Sequence, residues 1–336
     1  MTPLTISMAC SIQRNAIDPR STVQKRCNSN FLRWRRESVI LTRCMARSIS
    51  IVGAGRAGKT LGRCLHRLGW RIGAVVARSD AHARAAVRWI GAGTPHRGIT
   101  LDAIDSDVIL VSAPDDAIAG VASALARAGG AACRGKIVLH TSGALDQRAL
   151  TPLAHLGAST GSMHPMQTFT GREVPQLKNV IFAVEGAPAA RRMAQQITRA
   201  LGGVPVTIDA KNKVAYHAAG TLVAGHGLGL VEAATRILMH AGFTRRRATQ
   251  AALPLMRQML DNFERAGPRA SWTGPISRGD FAVVEAHARA LRAYPREFRQ
   301  AYAALALLGA RVLAQNSKAT IQSLHRALRT IERRLF

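Results

Sequence analysis

The sequence is short of aromatic residues, acids and lysine, and it has no long unbroken apolar run. Phe, Trp and Tyr together make up 4% of the 336 residues, which leaves few rings on which nucleic-acid bases could stack. Asp and Glu number 19 against 47 Lys and Arg, a formal net charge of +28. Only seven of those cations are lysine, and the arginines are scattered along the whole chain. A dedicated nucleic-acid site gathers its charge on one face. The basic balance therefore reads as an arginine-rich solvated surface that favours anionic ligands and has no specific nucleic-acid partner. A membrane span needs roughly 18 or more consecutive apolar residues, and the most apolar stretch, 218–234, is interrupted by four glycines and His226. No membrane partner is expected. Five cysteines (Cys10, Cys27, Cys44, Cys64 and Cys133) show no metal-ligand spacing. They predict free thiols in a reducing, cytoplasmic setting and no metal site.

Apolar residues at 47% and charged ones at 20% exclude wholesale disorder, and the length predicts about two domains. Residues 1–46 stand apart: they hold eight Lys and Arg against Asp18 and Glu37, without helical or strand periodicity. They read as a disordered basic extension with a superficial likeness to a transit peptide, or as sequence upstream of a start at Met45. Residues 47–210 alternate short apolar runs with amphipathic segments. Strands are expected at 49–52, 72–76, 108–111, 136–139, 179–184 and 204–208, with another from Ala158, and helices at 56–68, 81–89, 117–128 and 188–201. Such alternation predicts an α/β fold with a mainly parallel, doubly wound sheet covered on both faces. Residues 211–336 are rich in Ala, Leu and Arg, punctuated by Gly242, Gly267-Pro268 and Gly274-Pro275. They predict an all-α domain.

The sharpest signal is Gly53-Ala54-Gly55-Arg56-Ala57-Gly58, a G-x-G-x-x-G run placed directly after an apolar strand and opening a helix. In that context Gly53 permits the tight turn, Gly55 lets a pyrophosphate reach the backbone, and Gly58 lets helix and strand pack closely. The free N–H groups at the helix start, with Arg56 and Ala57 in its first turn, suit phosphate. An NAD site commonly carries an acid about 20 residues further on; here Arg78-Ser79 stands at that place. A guanidinium there would pair with a 2′-phosphate, so the expected cofactor is NADP(H).

Ligands of such sheets sit at the carboxyl ends of the strands. Those ends carry Ser112-Ala113-Pro114, His140-Thr141-Ser142 and Ser162-Met163-His164, small, hydroxyl or imidazole groups suited to a nicotinamide ring and a polar substrate. Asp115 and Asp116 read as caps of the next helix. Lys213, Tyr216 and His217 fall at i, i+3 and i+4 on one helix face, where a lysine could polarise a carbonyl or carboxylate and a Tyr or His could supply a proton. His226, Arg278, Asp280 and His287 are weaker candidates.

Taken together, the strand-GxGxxG start, Arg78-Ser79, HTSGAL (140–145), GSMHPMQTF (161–169), KVAYHAA (213–219) and TGPISRGD (273–280) resemble a bacterial family of NADP-dependent oxidoreductases. Its members join a Rossmann-like N-terminal domain to a helical C-terminal domain of unknown function. The resemblance spans about residues 47–330 and implies distant kinship with ketopantoate reductase, pyrroline-5-carboxylate reductase and β-hydroxyacid dehydrogenase. It further implies a homodimer, an NADPH-dependent reduction of a C=O or C=N bond in a small anionic metabolite, and a proton donor on the Lys213 helix, with His164 lining the nicotinamide pocket. Those relatives carry an asparagine about three turns beyond the lysine, where this chain reads Ala224-Gly225-His226. That departure leaves a non-catalytic NADP-binding sensor or scaffold as the alternative.

Overall fold

The computed structural model describes residues 47–332; the basic extension at 1–46, with Cys10, Cys27 and Cys44, lies outside the described residues. The chain divides into two compact units, one ending at Val214 and the other beginning at Ala215.

The first unit is built on β1 (Ser48–Val52), β2 (Arg71–Ala77), β3 (Thr94–Arg97), β4 (Val108–Val111), β5 (Ile137–His140), β6 (Ser159–Pro165), β7 (Ile181–Gly186) and β8 (Val204–Thr207). They form one eight-stranded sheet in the order β3-β2-β1-β4-β5-β6-β7-β8. Every pairing is parallel except β6 with β7. Helices α1 (Arg56–Arg67), α2 (Asp80–Ile90), α3 (Asp115–Gly129), α4 (Thr151–His155) and α5 (Pro188–Ala200) connect the strands. This is the Rossmann-type doubly wound α/β fold, followed by helices.

Two-residue alternation along the strands sends side chains to both faces. Ile49, Ile51, Val108 and Leu110 join Leu61 and Leu65 of α1 and Ile197 of α5 on one side. Val52, Ile109 and Val111 join Ile118 and Leu125 of α3 and Leu153 of α4 on the other. Burial on both faces is why the central strands read as unbroken apolar runs. β3 escapes that pattern: Thr94-Pro95-His96-Arg97 is a mostly exposed edge strand in which Pro95 is tolerated, so no apolar run marks it. The strand expected at 179–184 begins two residues later, at Ile181.

The second unit is helical, as expected. Helix α6 (Lys213–Thr221) starts at the end of the first unit and runs through a π-helical turn at Leu222–His226 into α7 (Gly227–His240). α8 (Arg245–Ser271) is broken at Gly267, whose φ of 77° is left-handed. α9 (Pro275–Arg278), α10 (Phe281–Ala290), α11 (Arg296–Leu313) and α12 (Ser317–Glu332) follow. Val284, Ala288, Ala303, Ala310, Leu324 and Leu328 form the core of this unit. Between α7 and α11 lies an apolar cavity of about 380 Å³ bordered by Ile237, Phe298 and Tyr302. Within the helical run Ala210–His240 the most apolar 18-residue stretch has mean hydropathy 1.2, so the run is long and apolar enough by length and composition to cross a membrane. A count of unbroken apolar residues missed it because glycines interrupt the run without adding charge.

Candidate functional site

The turn after β1 has the geometry that its three glycines require. Gly53 has φ 91°, and a Cβ there would stand 2.7 Å from the Ser112 carbonyl carbon at the end of β4. A Cβ at Gly58 would stand 2.5 Å from the Gly53 carbonyl oxygen. Gly55 is the opposite case: a Cβ there would meet nothing within 4 Å. The turn is pinned by the N–H groups of Gly53 and Ala54, which donate to the Val76 carbonyl at 3.0 and 3.1 Å. No side chain caps α1, and its first turn holds no acid. Uncapped N–H groups, the positive end of the helix dipole and open space at Gly55 form a cradle for an anionic group. It lies between β1 and β4, where the strand order reverses direction, the place at which such sheets bind ligands.

At the end of β2, Arg78 is exposed. Ser79 is engaged locally: its hydroxyl oxygen caps α2 by accepting from the His82 N–H at 3.3 Å and lies 2.9 Å from His82 Nδ1. Arg78 is thus the exposed cation at this strand end.

The ends of β4 and β5 are tied together. Thr141 Oγ1 donates to Ser112 Oγ at 3.2 Å. Ser142 Oγ donates to Asp115 Oδ2 at 2.8 Å and accepts from the N–H groups of Ala144 and Leu145 at 3.1 and 3.0 Å. One donor and two acceptor positions are all that a hydroxyl has, so the Ser142 side chain is committed to the loop and is not available to a cofactor. Asp115 is likewise not the expected cap: Pro114 holds the N-cap position of α3, and Asp115 instead braces Ser142. Ser112, Ala113 and Thr141 remain half-buried at the strand ends, with Pro114 exposed beside them.

His140 is fully buried. The Ser142 N–H donates to its Nδ1 at 3.2 Å, which assigns the proton to Nε2, donating to the Asp146 carbonyl at 3.0 Å. Burial pulls its pKa down to about 4, so the ring is neutral and structural.

Lys213 is also fully buried, within the first unit. Its Nζ donates to Ser162 Oγ at 2.7 Å and to the Ser142 carbonyl at 3.2 Å. Ser162 Oγ donates to Glu185 Oε2 at 3.4 Å, and the same oxygen accepts from the Gln147 N–H at 3.0 Å. Ser162 and Glu185 face each other across the antiparallel β6–β7 pair. Desolvation lowers Lys213 to about 8, against the attraction of Glu185, Asp146 and Asp115. Desolvation also raises the Glu185 carboxyl. Glu185 was not visible as a site residue in the sequence, because one acid in an apolar strand resembles a strand end. The signal that could have found it is its place opposite the serine of GSMHP.

His164 lies near the end of β6, half-buried and opposite Ala183. Tyr216 and His217 share with Lys213 the less exposed face of α6, as the spacing predicts, and they belong to the second unit. Among the described residues no group of three or more His, Cys, Asp or Glu could hold a metal. Cys64 and Cys133 are free thiols.

Residues 37–165 match a Rossmann-like domain family, and residues 180–308 match a domain of unknown function, DUF2520. The chain joins a Rossmann-like domain to a DUF2520 domain. No curated protein matches it. Solved structures share the fold. One is a candidate NADP oxidoreductase of Bacteroides fragilis, with TM-score 0.65 and 21% identity, covering 82% of this chain and 98% of that one. A Thermotoga maritima protein gives TM-score 0.56 and 23% identity over 85% of this chain and 100% of its own. A Streptomyces aurantiacus imine reductase gives TM-score 0.57 and 15% identity, again over 85% and 100%.

Proposed function

We propose that this protein is an NADPH-dependent oxidoreductase that reduces a C=O or C=N bond of a small, carboxylate-bearing metabolite. The observation that carries this reading is the glycine turn at the strand-order reversal, closed by backbone at Gly53 and Gly58 and open at Gly55. A dinucleotide fits it. The open space at Gly55 and the N–H groups of Arg56, Ala57 and Gly58 would hold its pyrophosphate, and the Arg78 guanidinium would pair with the 2′-phosphate that distinguishes NADP from NAD. The names of the similar structures, an NADP oxidoreductase and an imine reductase, support the reaction class.

When bound, the nicotinamide supplies the hydride, and the chain's own residues orient and polarise. Ser112, Ala113, Pro114 and Thr141 would border the nicotinamide half, and His164 would line its pocket. In this reading Lys213 polarises the acceptor bond, with its ammonium held in place by the Ser162 hydroxyl and the Ser142 carbonyl. His217 or Tyr216 returns the proton to the reduced product. The protein acts in this reading as a cytoplasmic homodimer joined through its helical unit, where Val223, Leu228 and Leu255 are 71–80% exposed.

Calorimetry with NADPH and NADH, followed by NADPH oxidation against a panel of keto acids and cyclic imines, tests the proposal. Preferential NADPH binding and turnover of one panel class is the expected result. Absence of heat with either dinucleotide overturns it.

A further inference from the structure

A buried lysine stays an ammonium only where neighbouring groups favour its charge, because burial alone favours the uncharged amine. The groups around Lys213 supply that support. His140 on β5 is neutral and contributes no opposing charge at pH 7. Asp146, in the loop after β5, is neutralised by Arg148, which contacts both of its oxygens at 2.6–3.1 Å. Asp115, at the start of α3, is exposed and takes the Ser142 hydroxyl. Glu185 on β7 is different: it is buried, it has no salt-bridge partner among the described residues, and its Oε2 is joined to Lys213 Nζ through the single hydroxyl of Ser162.

We propose that Glu185, acting through Ser162, is the positioning residue that holds Lys213 charged and aimed at the ends of β5 and β6. Glu185 touches no reacting atom. It accepts from Ser162, whose hydroxyl oxygen is thereby turned toward the ammonium. It also accepts from the Gln147 N–H, fixing the loop whose Ser142 carbonyl receives the second lysine proton. One carboxylate thus sets both acceptors of Nζ. The inference rests on Lys213 serving the proposed reduction, but its test needs neither cofactor nor substrate.

The test follows the ¹³Cε resonances of the lysines in the full chain between pH 6 and 11, with Lys213→Arg used to assign the Lys213 signal. Wild type is expected to titrate near pH 8. Glu185→Gln preserves the shape and removes the charge, so the Lys213 midpoint falls, and Glu185→Asp restores part of the drop. Asp146→Asn moves it less. Ser162→Ala, which removes the hydroxyl between the two groups, also lowers it and carries the test alone should Glu185→Gln not fold. Once a substrate is in hand, the alkaline limb of the kcat/KM profile moves down with the NMR midpoint. An unchanged midpoint in Glu185→Gln, or in Ser162→Ala where that variant stands alone, overturns the proposal. NADPH binding that persists through such a result leaves the proposed function intact, whereas loss of NADPH binding with the midpoint shifted as expected overturns the function alone.

Discussion

Gly53 and Ser112 touch through their backbones: the space where a Cβ of Gly53 would lie is already held by the carbonyl carbon and oxygen of Ser112, each 2.7 Å away. Neither atom can yield without moving β4. Gly53→Ala is therefore strained twice, by this contact and by its φ of 91°, and should lose on the order of 1–3 kcal/mol or more of stability. Gly55→Ala meets nothing, and its φ of −72° suits any residue. It should leave the melting temperature nearly unchanged while weakening NADPH binding about tenfold or more, since its methyl fills the phosphate space. Thermal melts and calorimetry on both variants separate the two roles.

Arg78→Asp removes the cation at the end of β2 and puts an acid in its place. A hydrogen bond to a charged group contributes about 1.5–3 kcal/mol. NADPH affinity should fall about tenfold or more, while NADH affinity holds or rises. Equal losses for the two dinucleotides would remove Arg78 from the 2′-phosphate.

His140 predicts an acid-sensitive fold. Its pKa is about 4 in the folded chain, below the ordinary 6.5. Between those values the unfolded chain binds a proton that the folded chain refuses, so stability is complete above pH 6.5 and declines as pH falls toward 4. At about 1.4 kcal/mol per unit, the loss is on the order of 3 kcal/mol. Denaturant melts from pH 7 to 4 should show this slope, and His140→Gln should flatten it.

Lys213→Ala and His217→Ala should each lower turnover about 100-fold or more without weakening NADPH binding, as expected for groups that act on the substrate rather than on the cofactor. Wild-type turnover in both would remove this helix from the chemistry.

Much of the sheet was legible because burial on both faces leaves unbroken Val, Ile and Leu runs, and the glycine turn because Gly53 and Gly58 have no room for a side chain while Gly55 borders open space. β3 was not legible, since an exposed edge of Thr94-Pro95-His96-Arg97 needs no apolar residue. The lysine at 213 was visible by its spacing, but its burial was not, because helical periodicity says which residues share a face and nothing about what covers that face. Ser142 and Asp115 misled for one reason. Ser142 read as a hydroxyl open to a cofactor and Asp115 as a helix cap, whereas the two bond each other, 27 residues apart in sequence. Glu185 needed the β6–β7 pairing, a long-range register that no local pattern encodes.

The π turn at Leu222–His226 resets the face count of the helix that begins at Lys213. A π turn takes up one residue more than an α turn, so side chains after it are rotated by roughly 100° relative to an uninterrupted helix. Counting 3.6 residues per turn from Lys213 lands on the right side of the helix as far as Thr221 and on the wrong side beyond His226. Residues of α7 therefore fall on the Lys213 side of the helix one place further along the chain than straight counting gives.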